Sequence, residues 1–145
     1  SSESKLPEQL QKYQIKISPD MMHDVLYYAS LFIGESATMA SESAFLGTSA
    51  VYVNSLPLMG YLDQAQRAGV LKHFNSSNGV SEYVSDFVQN SKFEDIAQNN
   101  SLIMKKNFIN PTEFLSWFIC SYPGSMISNK IDSEIIFKEN SNDYG

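Results

Sequence analysis

Between Ile33 and Ala44 the chain reads Ile33-Gly34-Glu35-Ser36-Ala37-Thr38-Met39-Ala40-Ser41-Glu42-Ser43-Ala44, small and hydroxylated residues with a carboxylate set well into the run. The pattern predicts a short apolar strand, Leu31-Phe32-Ile33, turning directly into a helix from about Ser36 to Leu46. The first turn of a helix leaves backbone N–H groups unpaired and carries partial positive charge, so it attracts phosphate. Gly34 permits a tight turn, Ser36 and Thr38 add hydroxyls, and Ala37, Ala40 and Ser41 let a ligand or a neighbouring backbone come close. Glu42 falls roughly 9 Å along the helix from Ser36 and on the same face as Thr38. A carboxylate there can accept hydrogen bonds from both hydroxyls of a ribose. The spacing fits a nucleoside diphosphate.

The same residues also describe something plainer: an N-cap at Ser36 or Thr38, with Glu42 as a solvated helical acid. No Lys or Arg lies within the run to meet a phosphate charge. Neither the G-x-G-x-x-G nor the G-x-x-x-x-G-K-[ST] pattern is present. Gly34-Glu35-Ser36 opens like the nucleophile elbow G-x-S-x-G, but Thr38 stands where its closing glycine belongs, which disfavours a hydrolase.

The elements that must position this segment alternate. Tyr13-Gln14-Ile15-Lys16-Ile17 places Tyr13, Ile15 and Ile17 on one face and reads as a strand. Ser18-Pro19-Asp20 then marks a helix start, with a hydroxyl cap, a proline in the first turn and an acid at the positive end of the dipole. Met22, Val25, Leu26 and Ala29 recur at helical spacing behind it. Leu31-Phe32-Ile33 has the continuous apolar character of a strand covered on both faces, as does Ala50-Val51-Tyr52-Val53. A helix from about Tyr61 to Ala68 ends at Gly69, and a strand follows at Leu71 to Phe74. Four strands alternating with helices predict an α/β fold with a Rossmann-like parallel sheet over residues 7–75.

After the polar stretch Asn75-Ser76-Ser77-Asn78-Gly79 only helical periodicity remains. It appears as Val80-Tyr83-Val84-Phe87-Val88, then Phe93-Ile96-Ala97, then a helix capped at Asn110-Pro111-Thr112-Glu113 that carries Phe114, Leu115, Phe118 and Ile119. Residues 80–123 are therefore expected as an all-helical C-terminal segment packing on the same domain, with Trp117 in its core. Residues 124–145 read as a tail, and the first six as a frayed end.

Composition narrows the function classes. A net charge of -6 with ten scattered Lys and Arg residues disfavours nucleic acid, the only short basic cluster being Lys105-Lys106. No apolar run approaches the roughly 20 residues that span a bilayer. The single cysteine, Cys120, has no partner for a disulfide; it is expected as a buried thiol, and a cytoplasmic compartment fits it. No His, Cys and carboxylate cluster has metal-ligand spacing. Of the two histidines, His23 near a helix start on the ligand edge is a candidate site residue, and His73 is expected on the surface of its strand.

Gly34-Glu35-Ser36-Ala37-Thr38-Met39-Ala40-Ser41-Glu42, Leu46-Gly47-Thr48-Ser49-Ala50 and Tyr52-Val53-Asn54 resemble a group of largely uncharacterised prokaryotic proteins. These are regarded as relatives of GT-B glycosyltransferases and of the non-hydrolysing UDP-N-acetylglucosamine 2-epimerase. The resemblance runs from about Leu6 to Phe74, including Ile17-Ser18-Pro19, His23 and Tyr28-Ala29, and more loosely from Asn110 to Pro123. In the epimerase the motif is Ser-Gly-Gly with Glu six places after the Ser. Ser36 and Glu42 match it, while Ala37 and Thr38 put β-carbons where both glycines would stand.

The resemblance implies part of a GT-B C-terminal domain. In it Ser36, Ala37 and Thr38 would hold the diphosphate of a UDP-sugar and Glu42 the ribose. Backbone around Ile17 and Ser18 would meet the base, and Asn54 and Ser55 would face the sugar. It implies no metal and no cofactor beyond the donor itself. It also implies a missing N-terminal domain that holds the acceptor and often the catalytic base, so the chain alone is expected to be inactive. Sugar-nucleotide epimerisation, and a non-catalytic module binding nucleotide sugar or protein, remain the alternatives.

Overall fold

The computed structural model describes residues 6–107 and 110–127. The expected frayed start, up to residue 5, and the tail from residue 128 lie outside them. The chain divides into two compact units, Ser1–Leu102 and Ile103–Gly145.

The first unit is an α/β, Rossmann-like arrangement. A short helix α1 (Glu8–Gln11) is followed by a 3-10 turn (Pro19–Met21), α2 (Met22–Tyr28), β1 (Phe32–Gly34) and α3 (Ala37–Leu46). Then come β2 (Ala50–Val53), α4 (Gly60–Arg67), β3 (Leu71–Phe74), α5 (Val80–Asn90) and the first part of α6 (Phe93–Asn107), whose end from Ile103 on belongs to the second unit. The three strands form one parallel sheet in the order β1-β2-β3, with Phe32 opposite Ala50 and Ala50 opposite Leu71. All three carboxyl ends therefore meet at one rim: Gly34, Val53 and Phe74.

The core lies around the middle strand. Ala50, Val51 and Tyr52 are buried, with Leu62 and Ala65 of α4, Val70 and Leu71 beside them. The buried face of α3 is made of Ala40, Ser43 and Ala44, small side chains that let the helix approach the sheet closely. Gly47 ends α3 in the left-handed conformation at φ 100°, where a β-carbon would stand 2.7 Å from the Ala97 carbonyl oxygen. Thr48, 2 % exposed, donates its hydroxyl to the Leu26 carbonyl at 2.7 Å, tying the last turn of α2 to the lead-in of β2. Ser43 Oγ donates in turn to the Thr48 carbonyl at 3.2 Å.

Three expectations about the sheet are corrected. Tyr13–Ile17 is not a strand but an irregular stretch, with Tyr13 70 % and Ile15 66 % exposed. Extended chain becomes sheet only beside another strand, and among the described residues none flanks it. The sheet accordingly has three strands, not four. Finally, β1 is an edge strand rather than one covered on both faces: Ile33 is 49 % exposed.

In the second unit, α7 (Pro111–Cys120) begins with Asn110 Oδ1 accepting from Thr112 N at 3.0 Å, as the cap pattern predicts. The rings of Phe114, Trp117 and Phe118 pack together, with centroids 6.0–6.5 Å apart. That face leaves Leu115, Ile119 and Cys120 outside, so the expectation of a buried thiol is overturned. Residues at the start of the expected tail form one helical turn, α8 (Gly124–Ile127), held by Ser125 Oγ donating to the Phe118 carbonyl at 2.7 Å.

Candidate functional site

The segment with the strongest chemical signal sits at the carboxyl rim. From β1 the chain passes through Glu35 and Ser36, both exposed, into α3. Ser36 is extended (φ -82°, ψ 113°) and its Oγ accepts from the Met39 amide at 3.3 Å, so it caps the helix. The first intrahelical bond is Ala40 N to Ser36 O, at 3.0 Å. The amides of Ala37 and Thr38 precede that ladder and point out of the helix end. Thr38 is exposed and Ala37 half-buried, and the rim is open to solvent here.

Gly34 has a different reason from the one its place in the turn suggests. Its φ is not left-handed; a β-carbon there would instead meet the Phe32 ring at 2.8 Å. Its small size accommodates an aromatic ring of its own strand.

Glu42 lies further along α3 and faces α2. Its Oε2 is 3.5 Å from His23 Nε2, with the two side chains 39 % and 69 % exposed. Both line an open groove of about 420 Å³, shared with Ser41, Phe45 and Leu46. The sequence candidates His23 and Glu42 are thus brought together. Ile17 is half-buried and Ser18 exposed just ahead of α2. Ser18 does not cap that helix: its hydroxyl donates to the Asp20 carboxylate instead, and this bond holds the Asp20 pKa below the ordinary carboxylate range.

Asn54 and Ser55 follow β2 at the same rim. Every polar group of Asn54 is engaged. Its N–H donates to the Phe74 carbonyl at 2.9 Å, and its Oδ1 accepts from the Leu56 amide at 2.9 Å. Its Nδ2 reaches the Glu35 carbonyl at 3.5 Å, and its own carbonyl lies 2.8 Å from His73 Nε2. Ser55, by contrast, is exposed.

His73 is the residue that sequence reasoning missed. It is half-buried rather than a surface strand residue, because three separate contacts hold it. Its ring stacks on Tyr52 at 5.3 Å, its Nε2 meets Asn54, and its backbone N–H donates to Gln66 Oε1 at 2.9 Å. Both ring contacts come from outside its own strand; the one available signal was the identical in-strand position of Tyr52 and His73, cross-strand neighbours in the register.

No protein-family model, curated protein or solved structure matches this chain.

A second hollow, of about 350 Å³, lies at the opposite edge, where Ser49 and Val70 lead into the strands and α5 and α6 cover them. Asn100, 5 % exposed, closes part of it by donating to Ser49 Oγ at 3.0 Å. Among the described residues no group of three His, Cys, Asp or Glu side chains is placed to hold a metal ion, and no helix is long and apolar enough to cross a membrane.

Proposed function

We propose that this chain is the donor-binding half of a GT-B-like glycosyltransferase, taking a UDP-sugar at the carboxyl rim of its sheet. The observation that carries the reading is the start of α3, which is capped by Ser36 and opens to solvent where β1 ends, with the Ala37 and Thr38 amides turned outward. In open parallel sheets ligands bind at that edge. A diphosphate there is met by the helix end, which supplies both hydrogen-bond donors and positive potential.

Further along the helix, Glu42 lines a groove in which ribose hydroxyls can donate to its carboxylate, with His23 beside it. Backbone at Ile17 and Ser18, leading into α2, takes the base. In sugar transfer the bond from the anomeric carbon to the diphosphate breaks as an acceptor oxygen bonds to that carbon. The helix end stabilises the departing diphosphate. The acceptor and the base that removes its proton belong to a further, N-terminal domain.

Calorimetric titration with UDP, GDP and ADP tests this. UDP is expected to bind best, and Glu42→Ala to weaken it about 10-fold, the worth of a charge-assisted hydrogen bond of roughly 1.5 kcal/mol. Unchanged affinity in the variant removes the ribose role from Glu42. With the N-terminal domain present, transfer to an acceptor separates this reading from epimerisation of a free UDP-sugar.

A further inference from the structure

Three carboxyl ends of the sheet are joined by one chain of hydrogen bonds. His73, near the end of β3, contacts the Asn54 carbonyl after β2, and Asn54 contacts the Glu35 carbonyl after β1. Asn54 also holds the Leu56 amide, so the loop that follows β2 takes its path from the same residue. Glu35 immediately precedes the cap of α3.

The chemistry of the first link is fixed by its partner. A carbonyl oxygen only accepts, so His73 Nε2 carries the proton and donates. The ring cannot swing away without losing its stack on Tyr52, which is 3 % exposed and part of the core. Its backbone is held from the other side by Gln66 of α4. His73 is therefore a fixed donor on a rigid strand, aimed at the backbone where the loop after β2 begins, beside the bond from Asn54 N–H to the Phe74 carbonyl.

We infer that His73 is a positioning residue for the donor site: through Asn54 it sets the Asn54–Leu56 loop and the Glu35 turn against the start of α3. This rests on the donor-site reading for its purpose, but the brace itself is measurable without ligand. His73 touches no substrate group in this scheme. It acts by fixing the backbone that does.

The test uses two variants of the full chain. His73→Phe keeps a ring against Tyr52 and removes the donor; His73→Gln keeps a donor and removes the ring. Amide hydrogen exchange is followed at Leu56, with Val51 and Leu62 as core references. One neutral hydrogen bond corresponds to about a 5-fold change in local opening. His73→Phe is expected to speed exchange at Leu56 by about that factor while Val51 and Leu62 keep their rates, and His73→Gln to restore it. Equal Leu56 rates in His73→Phe and the unaltered chain would overturn the inference, as would failure of Gln to restore them.

Should both variants fail to fold, the nitrogen-15 spectrum of the unaltered chain decides. A proton on Nε2 supports the brace and a proton on Nδ1 overturns it. UDP affinity in the same variants then assigns the purpose: about 5-fold weaker binding in His73→Phe, recovered in His73→Gln, supports positioning. A loosened loop with unchanged affinity overturns it. Lack of UDP binding by the unaltered chain defeats the donor-site reading instead, and the exchange data stand apart from that result.

Discussion

At the carboxyl rim, His73, Asn54 and Glu35 come from the ends of three successive strands and are joined through backbone carbonyls. In the groove between α2 and α3, His23 and Glu42 meet at 3.5 Å with much of both side chains in water. Each region contains one of the two histidines. The rim histidine is tied by its ring face, its Nε2 and its backbone, whereas the groove histidine has one long contact to a neighbouring acid. Bonds to backbone from a stacked ring define a position; a long, exposed contact between flexible side chains scarcely does. Under the proposed donor-site reading, a diphosphate would draw on backbone amides at the rim, and a ribose on the adjustable side chains of the groove.

The comparison is broken most strongly by uncoupling α2 from the sheet. Thr48→Val keeps the shape of the side chain and removes the hydroxyl that donates to Leu26 O. It is expected to cost about 1 kcal/mol, the net worth of one buried hydrogen bond, since the Leu26 carbonyl keeps the Ala29 N–H at 3.3 Å; the cost is read as a fall in the urea midpoint. Because α2 carries His23, the groove should loosen, while the Leu56 amide, braced from β3, keeps its exchange rate. Faster exchange at Leu56 in that variant would show that the two regions are not independent.

A smaller effect sharpens the other side. A double-mutant cycle on His23 and Glu42 is expected to return under about 1 kcal/mol of coupling, falling further as salt is raised. Coupling well above that, or insensitive to salt, would make the groove a preorganised site like the rim.

What the sequence could tell follows the same division. The cap at Ser36, the glycine stop at Gly47 and the strands at Ala50–Val53 and Leu71–Phe74 depend on residues close in the chain, and periodicity and end signals locate them. The pairing of His23 with Glu42 in one groove required two helices to pack side by side, which residue spacing does not determine. Tyr13–Ile17 has the alternation of a strand, yet alternation records only a preference; the hydrogen-bonding neighbour that would convert it into sheet is not beside it. The brace at His73 and the tie from Thr48 to α2 span 19 and 22 residues, and neither residue type announces its partner. Cys120 was placed inside by its apolar neighbours, although the aromatic face of α7 turns it outward.

A nucleoside diphosphate is proposed to dock at the start of α3. An amide chemical-shift titration of the full chain with UDP reads this residue by residue. The expected result is saturable shifts at Ala37 and Thr38, accompanied by Glu42 and His23 and absent when uridine replaces UDP. Shifts that spare Ala37 and Thr38, or that gather around Ser49 and Asn100 at the opposite edge, would contradict it.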